Sequence, residues 1–237
     1  MIQPRIDKNI KLTYAVYLEV NKVEKNYQSR YDALITRLQD IENLPERNLN
    51  KLSRDIDREI RGDFGYVPKD IKMEFFTSKL IKNAIIDFSE KYCVNNYILE
   101  NLIRIMGISS QYGDYDDVYY QFIFDNINNT DKKIKITVSY FIWRFPQFKN
   151  YENNWEYLVF IQKLHPKVQY LQLVLMMTKE NPWNILGYMP ENCKNTIIEL
   201  LQKYIDKNRK NYPQNIIELY EGAKNKLIES MDSQKMT

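Results

Sequence analysis

One stretch near the N-terminus decides the fold: it reads Lys11-Leu12-Thr13-Tyr14-Ala15-Val16-Tyr17-Leu18-Glu19-Val20 and continues to Leu38-Gln39-Asp40-Ile41-Glu42-Asn43-Leu44. Apolar residues recur along it at steps of three or four, at Val16, Val20, Val23, Tyr27, Tyr31, Leu34, Leu38 and Ile41. The mean step of about 3.6 is the period of an α-helix, and charged residues occupy the opposite face. The stretch therefore predicts one amphipathic helix from about Asp7 to Leu44, on the order of 55 Å long.

The apolar stripe of this helix could pack within its own chain or against a second copy. Two successive steps of four, at Val23, Tyr27 and Tyr31, break a strict heptad. This break argues against a regular two-stranded coiled coil. We therefore expect an intramolecular helix that the third helix of the chain covers, and a monomer in preference to a dimer.

Three further helices are predicted before Gly107 from the same spacing. Their apolar positions are Leu49, Leu52, Ile56 and Ile60, ending at a C-cap glycine, Gly62; Met73, Phe76, Leu80, Ala84 and Phe88, following Pro68; and Ile98, Leu102 and Ile105. Glycine after the last periodic residue and proline at the first are the usual signals of helix ends.

After Gly107 the predicted elements become short and are separated by turns rich in asparagine and proline. The segment Lys132 to Ser139 alternates as a strand would, but Asp131 as a cap and the continuation to Phe141 and Phe145 favour a helix. The sequence thus predicts an all-α protein with antiparallel helix pairs in an irregular bundle, or alternatively a short α-solenoid. We divide it into an N-terminal helical region, 1–107, and a short-helix region, 108–237, which could also form one continuous domain.

The composition is that of an ordinary folded protein. Among 237 residues, 44% are hydrophobic and 27% are charged. The 34 basic and 31 acidic residues leave a net charge of +3, so a nucleic-acid role would require local clustering of cations. The abundant Lys, Asn, Ile and Tyr have AT-rich codons, which indicates an AT-rich bacterial or phage genome.

Two features predict a cytoplasmic location. The segment Met1 to Lys8 is polar and charged, unlike a secretory signal. The longest apolar run, Tyr170 to Met177, is too short to cross a bilayer. We expect no membrane association.

Residues that enzymes commonly use for catalysis are scarce in this chain. His165 is the single histidine, and Cys93 and Cys193 lie too far apart in sequence for a zinc knuckle, so we expect two free, buried thiols. With 6 glycines, the chain has no phosphate loop or dinucleotide-binding turn. We therefore predict a non-enzymatic protein with no cofactor and no metal site, and keep a carboxylate-only metal hydrolase as the second alternative.

One stretch combines tyrosines and aspartates at a predicted loop-to-helix junction. Aspartate in a first helical turn caps free N–H groups, which gives it a structural explanation. Tyrosine offers a large contact area at low entropic cost, which is typical of binding surfaces. We define the tyrosine–aspartate patch, the predicted contact surface for a protein partner, as Tyr112, Asp114, Tyr115, Asp116, Asp117, Tyr119 and Tyr120.

Two groups of cations form the alternative site. They are Lys132, Lys133 and Lys135, and Lys203, Lys207, Arg209 and Lys210. If the two groups met on one face, they would bind phosphates. The sequence predicts a helical protein that binds another protein, as an inhibitor, immunity factor, anti-defence protein or adaptor; the alternative is a helical nucleic-acid-binding protein.

Overall fold

The computed structural model describes residues 27–164, Val174, Thr178 and residues 183–232. These residues form helices, turns and connecting segments, and there is no strand among them. The prediction of an all-α protein is therefore confirmed. The chain divides into two compact units, Met1–Asp114 and Tyr115–Thr237.

In its described part, the first unit is built around a helix pair, α2 and α5. Its helices are α1 (residues 27–39), α2 (Glu46–Arg61), α3 (Lys69–Thr77), α4 (Lys79–Lys91) and α5 (Asn96–Ser109), with 3-10 helices at Ile41–Asn43 and Ser110–Tyr112. The predicted apolar positions of α2 and α5 are buried, and α2 packs extensively against α5. Gly62 ends α2 in the left-handed conformation, with φ 85°, and its N–H bonds back to the helix, which confirms the predicted C-cap.

Helix α1 covers the described part of the predicted long helix. Its stripe of Tyr27, Tyr31, Leu34 and Leu38 is buried as predicted. The Tyr31 ring stacks on Phe75 of α3 with 4.0 Å between ring centroids, so the third helix does cover α1. The predicted helical course through Val16, Val20 and Val23, and its start near Asp7, lie outside the described residues.

The predicted C-terminal end of this helix is wrong. Helix α1 ends at residue 39, and the chain then turns at Asp40 into the 3-10 helix Ile41–Asn43. Ile41 is still buried there. The apolar stripe therefore continues past the end of the helix that it predicts, because a tighter turn also brings Ile41 to the core.

The prediction of a single helix from Pro68 through Phe88 is also wrong. The chain breaks at Ser78, whose backbone is extended, with ψ 141°. The Ser78 hydroxyl accepts a hydrogen bond from the Ile81 N–H at 3.4 Å and so begins α4. The break changes the buried face, because Leu80 is 54% exposed while Ile81 is buried.

The second unit contains the helices expected after Gly107, but its last two, of 18 and 19 residues, are not short. They are α6 (Asp117–Phe124), α7 (Lys132–Phe141), α8 (Asn154–Leu164), α9 (Ile185–Tyr188), α10 (Glu191–Asn208) and α11 (Gln214–Asp232), with 3-10 helices at Ile142–Arg144 and Pro146–Asn150. Asp131 caps α7 by accepting hydrogen bonds from the N–H groups of Lys133 at 2.7 Å and Ile134 at 3.2 Å. Helix is thereby confirmed over strand at Lys132 to Ser139.

Tryptophans form part of the core of the second unit. Trp143 is fully buried, and its carbonyl oxygen accepts a hydrogen bond from Trp183 Nε1 at 2.7 Å. The Trp183 ring also lies 5.7 Å from the ring of Trp155. These are all 3 tryptophans of the chain, and each belongs to the second unit.

Helices α10 and α11 pack against each other along the last part of the described chain. Lys194 of α10 is buried, and its Nζ donates to the Ser230 carbonyl at 3.2 Å, in the last turn of α11. A cation there complements the negative end of the helix dipole. Over the residues described, no helix has both the length and the apolar character needed to cross a membrane.

Candidate functional site

Two members of the tyrosine–aspartate patch lie in the first unit and contact that unit's own residues. The Tyr112 hydroxyl donates to the Ile60 carbonyl at 3.4 Å, and burial raises the pKa of Tyr112. Asp114 accepts an ion-paired hydrogen bond from Lys82 Nζ at 2.8 Å, and its side chain is 8% exposed. Both side chains therefore stabilise the first unit, whatever else they do.

The remaining aspartates of the patch, in the second unit, also have partners in the fold. Asp116 caps α6 by accepting a hydrogen bond from the Val118 N–H at 2.9 Å. Asp117 accepts one from Gln147 Nε2 at 2.7 Å. The Asp116 contact matches the capping explanation, and the Asp117 contact ties α6 to Gln147, so both aspartates have a structural role.

The tyrosines of the second unit differ in exposure. Tyr119 is fully buried, so it presents no surface to a partner. Tyr120 is half-buried and stacks on Phe124 with ring centroids 5.6 Å apart. Tyr115 is 36% exposed and contacts Phe145 edge-on. Tyr115 is thus the most accessible tyrosine of the patch in this unit.

The predicted cation groups lie on two helices of the second unit, α7 and α10, and at the end of α10. Helices α7 and α10 each pack against α8. Lys132, Lys133, Lys203, Lys207 and Lys210 are exposed and Lys135 is half-buried, while Arg209 pairs with Glu221 at 2.8 Å. The two groups of cations therefore lie on separate helices, and one of the cations, Arg209, is already in an ion pair.

A different set of cations lines a groove on the first unit. The groove has a volume of about 540 Å³, is open to solvent, and is lined by Arg47, Asn48, Asn50, Lys51, Arg54 and Tyr97. Among the described lining residues, every side chain except the tyrosine is cationic or an amide. We call this site the α2–α5 groove, because α2 supplies the polar residues and α5 supplies Tyr97.

The cations reach one face because of their spacing. Arg47, Lys51 and Arg54 follow one another at steps of four and three, so they share a side of α2. They span about 10 Å along the helix axis at about 1.5 Å per residue. Leu49, Leu52 and Ile56 hold the opposite side of the helix in the core.

Asn95 fixes the tyrosine relative to these cations. Its side-chain amide donates to Glu46 Oε1 at 3.0 Å and to Asn50 Oδ1 at 3.1 Å, both on α2. Its side-chain oxygen accepts a hydrogen bond from the Ile98 N–H at 3.0 Å and so caps α5. One side chain thereby begins α5 and ties its first turn, with Tyr97, to the first turns of α2.

The cations of the groove have fewer carboxylate partners than Arg61 and Arg104 of the same unit. Asp57 lies between Arg61 and Arg104, at 3.0 Å and 3.3 Å. Within the described part of the chain, Arg47 and Lys51 make no ion pair, and the nearest carboxylate oxygen to Arg54 is Asp55 Oδ1 at 3.8 Å. Ion pairs within the described chain therefore leave the charges of Arg47 and Lys51 uncompensated.

A buried polar cluster lies elsewhere in the same unit. Arg30 Nε is 2.6 Å from Glu59 Oε1, and the Glu59 side chain is 3% exposed. Glu59 Oε2, Arg30 Nη2 and the Tyr31 hydroxyl are buried, with no hydrogen-bond partner among the described residues. Burial, aided by the charge of Glu59, raises the pKa of Tyr31. This cluster joins α1 to α2 and is internal.

The thiols and carboxylates are the remaining candidates for reactive groups. Cys93 and Cys193 are free as predicted, but both are partly exposed rather than buried. Burial still raises the pKa of each thiol, so neither is activated as a thiolate. In the residues that the structure describes, no group of three or more His, Cys, Asp or Glu side chains is arranged to hold a metal ion.

In comparisons with known proteins, no family model, curated protein or solved structure matches this chain.

Proposed function

We propose that the protein binds nucleic acid, and that the α2–α5 groove contacts the phosphate backbone. The proposal depends chiefly on three cations on one face of α2 that line an open groove, two of them without an ion pair in the described chain. Contacts between phosphates and Lys or Arg supply most of the affinity of non-specific nucleic-acid binding. The proposal includes no catalytic step.

The geometry of the cations supports a chain of phosphates as the ligand. Arg47 and Arg54 lie about 10 Å apart along the helix axis, farther than one phosphate group can bridge, so the row of cations suits successive phosphates of one strand. The first turn of α5 also borders the groove and adds a partial positive charge. A single small anion would leave part of this row without a partner.

The test is a pair of charge-matched variants. Arg47→Gln/Lys51→Gln removes two cations from the groove, and Lys69→Gln/Lys79→Gln removes two exposed cations elsewhere on the first unit. Binding of a fluorescein-labelled oligonucleotide is measured by anisotropy at several salt concentrations. Losing two phosphate contacts lowers the slope of log K against log salt by about 1.4 for a single strand, or about 1.8 for a duplex. We expect this loss, and at least a tenfold weaker complex at low salt, from the groove variant alone.

Two results would count against the groove. Equal weakening by both variants would show a diffuse effect of net charge, and unchanged binding by the groove variant would remove the groove from the interface. Lys132→Gln/Lys133→Gln is measured in parallel, because those residues belong to the site predicted from sequence. If only that third variant weakens binding, the interface lies on the second unit instead.

A protein partner at the tyrosine–aspartate patch is the second candidate. It is favoured by the exposure of Tyr115, at 36%, and of Val118, at 44%, which lie three residues apart around the start of α6. Tyr115→Ala/Val118→Ser should abolish capture of a partner from the source cell and leave the helical content unchanged. Capture at the wild-type level would exclude these residues from the interface.

A further inference from the structure

We infer that the ligand of the α2–α5 groove is single-stranded nucleic acid, with Tyr97 as the residue on which an unpaired base stacks. This inference rests on the proposed function and adds the class of nucleic acid to it. It is carried by the combination of one exposed aromatic ring with a row of cations in the same groove.

The Tyr97 ring is available for stacking. It is 45% exposed and, among the residues that the structure describes, is the one aromatic side chain that lines the groove. Tyr31 and Tyr120 stack on phenylalanines of their own units. Tyr97 has no ring contact or hydrogen bond through its side chain within the described part of the chain. An aromatic ring left open beside cations is the arrangement that single-strand-binding proteins use.

The position of Tyr97 favours a single strand over a duplex. In a duplex the bases stack on one another and present only their edges in the grooves, whereas an unpaired base can turn its face onto a side chain. Phosphates can lie along Arg47, Lys51 and Arg54 while one base turns toward α5. A duplex would use the cations and gain little from the ring.

The amides in the groove fit this assignment. Asn48 is exposed, and Asn50 accepts a hydrogen bond from Asn95 at its Oδ1. Such amides can donate to any base or sugar oxygen. Phosphate contacts and stacking on a ring do not depend on the identity of the base, so we expect binding with weak sequence preference.

The experiment compares three probes on the full chain at one salt concentration. The probes are fluorescein-labelled oligo-dT of twelve nucleotides, a duplex of the same length and a labelled poly-glutamate peptide. The variants are Tyr97→Ala, Tyr97→Trp, and Tyr66→Ala as the matched control, since Tyr66 is 77% exposed in the same unit. Circular dichroism of each variant verifies that it is folded.

We expect Tyr97→Ala to weaken oligo-dT binding between about 5-fold and about 100-fold, the usual effect of removing one base–aromatic stack. Duplex binding should change less than twofold, Tyr97→Trp should bind oligo-dT at least as tightly as wild type, and Tyr66→Ala should match wild type. Equal effects of Tyr97→Ala on strand and duplex, or no effect on either, would overturn the stacking assignment.

The two proposals fail in different ways. If wild type binds both nucleic acids and Arg47→Gln/Lys51→Gln weakens both, while Tyr97→Ala changes neither, the groove function stands and the single-strand inference fails. If wild type binds neither nucleic acid, the proposed function itself fails. Poly-glutamate bound as tightly as oligo-dT would show that the groove takes acidic chains in general, and would overturn the inference.

Discussion

Replacing Arg30 by methionine should destabilise the first unit more than replacing both Arg30 and Glu59. Arg30 Nε lies 2.6 Å from Glu59 Oε1, and the Glu59 side chain is 3% exposed. Methionine is similar in length but removes the charge that compensates this carboxylate. The single variant therefore leaves this buried carboxylate without its ion-pair partner, whereas Arg30→Met/Glu59→Met removes both members of the pair.

The size of the effect follows from the burial of the pair. Breaking a fully buried ion pair costs about 3–5 kcal/mol. Because the Arg30 side chain keeps 22% of its exposure, water can reach part of the pair, and we expect about 2–4 kcal/mol for Arg30→Met. The double variant should lie within about 1 kcal/mol of wild type, since well-packed apolar residues can replace a buried pair with little loss.

Urea unfolding followed by far-ultraviolet circular dichroism measures these free energies, and hydrogen exchange of α2 amides assigns the loss to the first unit. Lys91→Met serves as a control, because Lys91 and Asp87 form an exposed pair; its unfolding midpoint should match that of wild type. A loss below about 1 kcal/mol for Arg30→Met, the value of a surface pair, would refute the role of a buried ion pair, as would a double variant less stable than the single one.

Two further variants test a buried hydroxyl and a helix cap. Tyr31→Phe removes a buried hydroxyl that has no hydrogen-bond partner among the described residues, so stability at pH 7 should stay within about 1 kcal/mol of wild type or rise. Burial raises the pKa of Tyr31, so the stabilisation linked to its protonation is complete below the unfolded pKa of about 10 and is lost at higher pH. Urea unfolding from pH 8 to 11 should therefore show a flatter decline in the free energy of unfolding for Tyr31→Phe than for wild type. An unchanged decline would contradict this. Asp131→Ala removes the cap of α7 and should cost about 1–2 kcal/mol in thermal unfolding. Asp131→Asn keeps an acceptor, so a loss as large as that of alanine would exclude capping as the cause.

Periodic patterns predicted the helices because they record which faces are buried. The stripe of α1 from Tyr27 to Leu38, the apolar face of α2 and the cap at Asp131 all follow from local spacing and local hydrogen bonds. These features depend on residues only a few positions apart. They could therefore be derived without knowing the fold.

The break at Ser78 shows where spacing alone fails. Met73, Phe76, Leu80, Ala84 and Phe88 keep a helical period across the break, although Met73 and Leu80 are 40% and 54% exposed. Two short helices with different buried faces happened to share one periodic series. The local signal of the break was Ser78, because a serine hydroxyl can cap the start of a new helix. The signal is ambiguous, since a serine can equally lie on the surface of a long helix.

The candidate site was missed for a different physical reason. The period of Arg47, Lys51 and Arg54 is visible in the sequence, but exposed cations on a helix are ordinarily a solvated face. What makes them a groove is α5, which Asn95 ties to α2 across 45 positions of sequence. The tyrosine–aspartate patch shows the opposite error. Composition predicted Tyr119 to be part of a contact surface, but its position on α6 places it fully in the core.

The location of the tryptophans gives the second unit an intrinsic fluorescent probe. Since Trp143, Trp155 and Trp183 all belong to the second unit, light absorbed selectively by indole is emitted from that unit alone. Urea unfolding followed by tryptophan fluorescence reports on the second unit, while far-ultraviolet circular dichroism reports on the helices of both units. The difference between the two curves isolates the half that carries the groove, without any dye, tag or cleavage of the chain.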